Sequence, residues 1–146
     1  RSPDNRRKLL QWSFTTPSFT SSTLEHLSKV QQKHEEVECI TFAVCDDDAG
    51  NRYVEGLIKF SKRCRETTAR KVTASPFVDV ASNVNHSLIG IYLRSSSVVE
   101  HGVITNFQVR VFINRLKHFK THVSLGEESI EELIDCTQAY FKVTPT

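Results

Sequence analysis

Two features of this chain could do chemistry. One is the pair Tyr53 and Glu55 on a strand-like run, and the other is a later tyrosine, Tyr92, on a helix-like one. In a strand, alternate side chains share a face, so Tyr53, Glu55, Leu57 and Lys59 point one way and Val54, Gly56, Ile58 and Phe60 the other. The second set is apolar and reads as the core face. That predicts Tyr53 and Glu55 side by side on a surface, where a metal pair could sit. Tyr92 offers a hydroxyl that could act as a nucleophile, although a lone helical tyrosine is more often structural.

The elements that must position these residues follow from pattern. Leu9 to Thr15 alternates as a first strand and stops at Thr16-Pro17-Ser18. Ser22-Thr23-Leu24-Glu25 reads as a capping box with Ser22 at the N-cap, opening a helix to about His34. Glu38 to Cys45 is rich in β-branched and aromatic residues, and Asp48-Ala49-Gly50-Asn51 is turn chemistry, so strands two and three form a hairpin. A short helix over Glu66–Thr73, a strand over Pro76–Val80, a helix over Asn85–Arg94 and a strand over Val98–Ile104 complete the order βαββαβαβ. That order predicts an α+β fold with an antiparallel sheet. Beyond it, Val109, Phe112, Ile113, Leu116 and Phe119 form a helical stripe, and Ser129–Ile134 opens a further helix with acids in its first turn.

The composition sets limits. At 146 residues the chain makes one domain, or one plus an extension, with 38% hydrophobic and 25% charged residues, as in a soluble globular protein. It has no apolar run long enough to span a membrane, so no membrane partner is expected. It opens at Arg1 and holds no Met, so a fragment with flanking domains elsewhere is expected. No G-x-x-x-x-G-K-[ST] phosphate loop is present. The net charge of +2 is small, but its distribution is uneven: Lys59, Lys62, Arg63, Arg65, Arg70 and Lys71 face only Glu66 in their stretch, and acids gather at Asp46-Asp47-Asp48 and Glu127–Asp135. The basic stretch reads either as a solvated face or as a patch that tracks phosphates. Cys39, Cys45, Cys64 and Cys136 show no zinc spacing, and a disulfide among them stays open. His118 and His122 lie four apart without the Glu of a metalloprotease pattern, and His86 and His101 lie near Tyr92.

Three segments in order, Trp12-Ser13-Phe14-Thr15-Thr16-Pro17, Arg52-Tyr53-Val54-Glu55-Gly56 and Tyr92-Leu93-Arg94-Ser95, resemble the endonuclease domain of the replication initiator (Rep) proteins of circular single-stranded DNA viruses. These HUH-type endonucleases include those of circoviruses, nanoviruses and geminiviruses. The first segment is similar to the family's W-x-F-T-x-x-x-P. The middle segment is similar to H-L-Q-G-F, which in the family supplies a metal-binding His and a Gln or another His. The last is similar to Y-C-S-K, with a nucleophilic tyrosine and a lysine on one helix. The resemblance implies a ferredoxin/RRM-like, five-stranded antiparallel sheet with flanking helices over residues 1–105 and a helical linker or oligomerisation-like tail over 106–146.

It also implies roles. Tyr92 stands at the nucleophile. Asp47 (or Asp46) and Glu55 stand at the metal site, an oxygen-rich pair that suits Mg²⁺ or Mn²⁺ and not zinc. Thr15, Lys59, Lys62, Arg63, Arg65, Arg70, Lys71 and Arg94 are the expected DNA contacts, with Trp12 either stacked on a base or buried. The chain departs from the family at Tyr53 for the metal-binding His, Glu55 for the Gln or His, and Ser95 for the lysine. A phenol with a pKa of about 10 is a poor ligand near neutral pH. Arg94, beside Ser95, is a bulkier and differently directed cation than Lys. Damage at several points of one site implies a domain that binds single-stranded or hairpin DNA without efficient nicking. Two other readings stay open: an active metal-dependent tyrosine DNA nickase and ligase for rolling-circle replication, and a domesticated protein-interaction module that binds no DNA. An intracellular, nuclear setting and a homo-oligomer through the C-terminal helices go with the family.

Overall fold

A computed structural model of the chain describes residues 7–81, 84–95, 97–102, 111, 113–115 and 128–135, with residues 85 and 86 described as backbone only. The elements run β1 (Lys8–Thr16), α1 (Ser21–Lys33), β2 (Val37–Asp46), β3 (Arg52–Arg65), α2 (Glu66–Thr73), β4 (Phe77–Val80), α3 (Val84–Arg94) and β5 (Val98–His101). This is the expected βαββαβαβ order. The strands form one five-stranded sheet, ordered β4-β1-β3-β2-β5, in which every neighbouring pair is antiparallel. The fold is thus α+β with the expected antiparallel sheet, and β3 is its central strand.

The register fixes which residues share a face. Phe14 and Phe42 flank Gly56, and Trp12 and Ile40 flank Ile58. Together with Val54 and Phe60 these side chains make one buried layer, roofed by Leu27 and Val30 of α1 and by Ala69 and Val72 of α2. Trp12 is 1% exposed within that layer, so it is a core residue and not a base-stacking one. The opposite face carries Leu57, Ala43 and Cys45 under Leu88, Ile89, Ile91, Tyr92 and Leu93 of α3. Ile113, Ile130 and Ile134 are buried in the same cluster, so the described parts of the tail share a core with the sheet.

Local expectations shift in three places. Thr20, not Ser22, is the N-cap of α1, and Thr23 Oγ1 accepts a hydrogen bond from the Thr20 backbone N–H at 3.2 Å. Glu25 is thereby freed to pair with Lys29 one turn on, at 2.8 Å. β5 ends at His101, because Gly102 takes φ +87°, a left-handed conformation that leaves the strand. The third shift concerns the face bearing Tyr53 and Glu55. The sequence pattern predicts an open surface there, whereas α3 packs over it and Tyr53 lies against the α3 cluster. A strand covered on both faces still alternates, so alternation alone does not say that the opposite face is also roofed.

The β2–β3 hairpin is closed by Asp47. Its Oδ1 accepts from the backbone N–H groups of Ala49 (2.9 Å) and Asn51 (2.8 Å), an Asx-type turn that leaves Gly50 at φ +83°. These donors hold the Asp47 carboxyl below its ordinary pKa, the Asn51 N–H being the largest cause. Cys39, Cys45 and Cys64 form no disulfide among the described residues. Burial pushes the Cys39 thiol up to about 11, so it packs as an apolar group. Cys136, His118 and His122 and the side chain of His86 lie outside the described residues, as does most of the helical stripe from Val109 to Phe119.

Candidate functional site

The antiparallel register lays the α3 side of the sheet out as rows. One row runs Phe77–Thr15–Glu55–Ala43–Val98 across β4, β1, β3, β2 and β5, and the next runs Asp79–Ser13–Leu57–Thr41–Glu100. α3 closes the part of these rows that lies on β3 and β2. Over β1 and β4 the same face carries Gln11, Ser13, Thr15, Phe77 and Asp79, and none of them is buried. Phe77 is 61% exposed and stands out among the described residues as an exposed large hydrophobic side chain. The open strip borders a shallow cleft of about 360 Å³ lined by Ser13, Thr15, Arg70, Pro76, Phe77, Val78 and Asp79.

This cleft brings together Thr15 and Arg70, two of the expected DNA contacts. Arg70 is held by Glu66 one helical turn before it, at 2.8 Å, while its Nε is buried without a hydrogen-bond partner. Ser13 Oγ donates to the carbonyl of Asp79 at 3.3 Å, and buried Thr16 and Ser75 share a 2.7 Å hydrogen bond just below. An exposed ring, two hydroxyl-bearing neighbours and a guanidinium form the kind of surface that accepts a base and a phosphate. Sequence reasoning places Phe77 on a strand and gives it no role. The available signal is the alternation of Phe77 and Asp79 against Val78 and Val80, which puts an aromatic and a carboxylate on one face.

The other basic residues lie elsewhere. Lys8 pairs with Arg65 at the end of β1 and β3 opposite to the Thr15–Glu55 pair. Seven β1 steps separate Thr15 from Lys8, roughly 23 Å, and β3 spends ten residues on the same span because the register shifts between Leu9 and Gln11. Lys62, Arg63 and Arg65 are exposed on that far extension of β3, with Arg7 and Lys8 alongside. Lys71 is exposed on α2. Lys59 sits between the two ends and faces Glu38 at 3.7 Å. The expected DNA contacts thus divide into a cleft group and a far-end group on the extension of β3.

The tyrosine and acid residues are arranged differently. Tyr92 is 4% exposed, inside the α3 core cluster. Arg94, whose side chain is only 11% exposed, lies 4.0 Å from Glu55 and also bonds Glu131 of the helical segment 128–135. Asp47 is at the exposed hairpin tip. Glu55 lies three strand positions past Arg52, the partner of Asp46, so roughly 10 Å or more separates it from Asp47. Among the described residues no group of three or more His, Cys, Asp or Glu could hold a metal ion. Among the described residues no helix is long and apolar enough to cross a membrane. No family model, curated protein or solved structure matches the chain.

Proposed function

We propose that this domain binds single-stranded or hairpin DNA of the kind a viral-type replication initiator handles, and that it does so without efficient cutting. The observation that carries the reading is the half-open sheet face, where exposed Phe77 lies beside Thr15 and Arg70, with Lys62, Arg63 and Arg65 exposed on the far extension of β3. A base stacks on the ring, the Thr15 hydroxyl and the Arg70 guanidinium hold adjacent phosphates, and the far-end cations follow the strand. The order and spacing of the three initiator-like segments support the same assignment. The lack of cutting rests on the buried Tyr92, on the Arg94 guanidinium facing Glu55, and on the Asp47 carboxylate accepting from the hairpin backbone.

Fluorescence anisotropy of a labelled hairpin with a single-stranded flank, titrated at two salt concentrations with Mn²⁺ present, tests this directly. Binding should weaken as salt rises, with a slope near about −0.7 for each phosphate neutralised on a single strand. A denaturing gel run on the same samples should show an intact strand and no Tyr92 adduct. Such an adduct, abolished by Tyr92→Phe, would establish the active nickase instead. An absence of binding even at low salt would remove every DNA reading and leave the interaction module.

A further inference from the structure

Arg94 joins three parts of the molecule. Its side chain lies at the end of α3, faces Glu55 on the central strand at 4.0 Å, and bonds Glu131 on the helical segment 128–135. That segment is anchored beside α3 by Ile130 and Ile134, which are 5% and 2% exposed. Gly90 makes the close seating feasible. A Cβ at that position would stand 3.2 Å from the Ile134 Cδ1 and 2.7 Å from an Arg94 guanidinium nitrogen, so a larger residue would push against both. Glu55 in turn is the cross-strand partner of Thr15, which lines the open cleft. The Arg94–Glu55 contact therefore stands at the boundary between the roofed and the open halves of one sheet face.

We propose that Glu131 is an internal stand-in for a nucleic-acid phosphate: it occupies the anion-accepting side of Arg94, and a bound strand displaces it. The proposal rests on the DNA-binding reading above and adds a regulation to it. A guanidinium offers several N–H donors in a fixed fork and accepts carboxylate and phosphate in the same planar geometry. Glu55 and Glu131 are not equivalent partners of Arg94. The Glu55 side chain is 25% exposed and fixed in the middle of a strand, whereas that of Glu131 is 51% exposed on the outer helix. An incoming phosphate competes with the more exposed of the two. Release of Glu131 removes a polar tie from segment 128–135 while Ile130 and Ile134 keep the segment in reach, so the exchange is reversible. The tail then acts as an autoinhibitory contact that sets a threshold for binding, not as another binding site.

The test uses the full chain and a single-stranded oligonucleotide as probe. Glu131→Gln keeps the size of the side chain and removes the competing charge, and Glu132→Gln, on the next exposed position, removes a charge of the same sign as a control. Glu131→Gln should bind about three- to fivefold more tightly than the unaltered chain, roughly 0.7 to 1 kcal/mol, and Glu132→Gln should change affinity less than twofold. Amide hydrogen exchange in residues 128–135 should quicken in Glu131→Gln without DNA, and in the unaltered chain when the oligonucleotide is added. Binding of equal strength in the unaltered chain and both variants would overturn the displacement and leave the DNA reading standing. Equal tightening by both variants would assign the effect to net charge and would also overturn it. No binding by any form would refute the DNA reading itself, and the displacement with it.

Discussion

Gly56→Ala is a small change with a large expected cost. Gly56 lies on central β3 between Phe14 of β1 and Phe42 of β2. A Cβ there would stand 2.3 Å from Phe14 Cζ, 2.7 Å from Phe14 Cε1 and 2.7 Å from the Thr41 carbonyl oxygen. Non-bonded carbons rest at about 3.5–4.0 Å, so the ring must retreat by more than about 1 Å. Phe14 is 1% exposed, and the layer around it is packed on every side, so the retreat disturbs β1 as a whole. The backbone carbonyl cannot rotate away at all while the β2–β3 ladder holds. Overpacking of this kind costs typically about 1–3 kcal/mol, and two simultaneous obstacles place the variant near the top of that range. Alanine recovers about 0.5–1 kcal/mol through its lower backbone entropy, which leaves a net loss of about 2 kcal/mol. For a chain of this size that is a fall in Tm of about 4–8 °C. Urea denaturation followed by circular dichroism should show a lower midpoint with an unchanged slope. Phe14→Leu removes the two offending ring atoms, so the double variant should be at least about 1 kcal/mol more stable than the sum of the single changes, the coupling expected of residues in contact. A Gly56→Ala midpoint within error of the original, or strict additivity with Phe14→Leu, would refute the packing described for the sheet centre.

Phe77→Ala should weaken binding of a single-stranded oligonucleotide by about 1–3 kcal/mol, the worth of a base–aromatic stack. It should leave the unfolding midpoint nearly unchanged because the ring is already 61% exposed. Paired anisotropy and melting curves check both halves. Asp47 has a folded pKa below its ordinary value because it accepts from Asn51 and Ala49. Its contribution to stability is therefore complete above the unfolded carboxyl pKa and disappears as pH falls through the lower folded value. Asp47→Asn should reduce stability at neutral pH and lose that deficit in acid, read from urea midpoints at pH 7 and below pH about 3. The Cys39 thiol, raised to about 11 by burial, stays protonated at pH 8. Iodoacetamide at that pH should label it only after denaturant is added, as judged by peptide mass spectrometry.

The layout of the elements is legible in the sequence because each carries a strong local signal. Glu66–Thr73 stands as a helix with the expected bounds, and the Asp48–Asn51 turn closes the expected hairpin. The hairpin cap differs from the pattern, with Asp47 and not a later residue supplying the acceptors. The limits of reading lie one level up. Period-two alternation along Tyr53, Glu55, Leu57 and Lys59 identifies one set of side chains but not what lies above it, because α3 approaches from more than thirty residues away. The carboxylates of Asp47 and Glu55 are near in sequence, yet the fold gives them different partners: Asp47 closes the hairpin turn and Glu55 faces Arg94. The Arg94–Glu131 pair joins residues 37 positions apart and leaves no periodic trace. Phe77 stays concealed because an exposed and a buried phenylalanine have the same letter, and only the neighbouring helix decides between them.

That decision follows from topology and helix size. Strands about 4.8 Å apart spread five axes over about 19 Å, whereas a helix with its side chains is about 10 Å across. One face has two helices, α1 and α2, and its central strands are buried beneath them. On the other, α3 must carry the chain from β4 at one edge to β5 at the opposite edge. It settles over β3 and β2, where Leu57, Ala43 and Cys45 offer an apolar floor, and the described tail residues join it there. The strip over β1 and β4 then has no described helix to cover it, and its residues match that condition: Gln11, Ser13, Thr15 and Asp79 are polar. Phe77 is the departure from the rule. A ring of that size left 61% exposed among hydroxyls and an arginine forfeits about 1–2 kcal/mol of burial. Nothing in the packing of β4 requires it, because Val78 already supplies that strand's buried anchor. In the proposed DNA-binding reading, a nucleobase is the flat partner that covers the ring on binding.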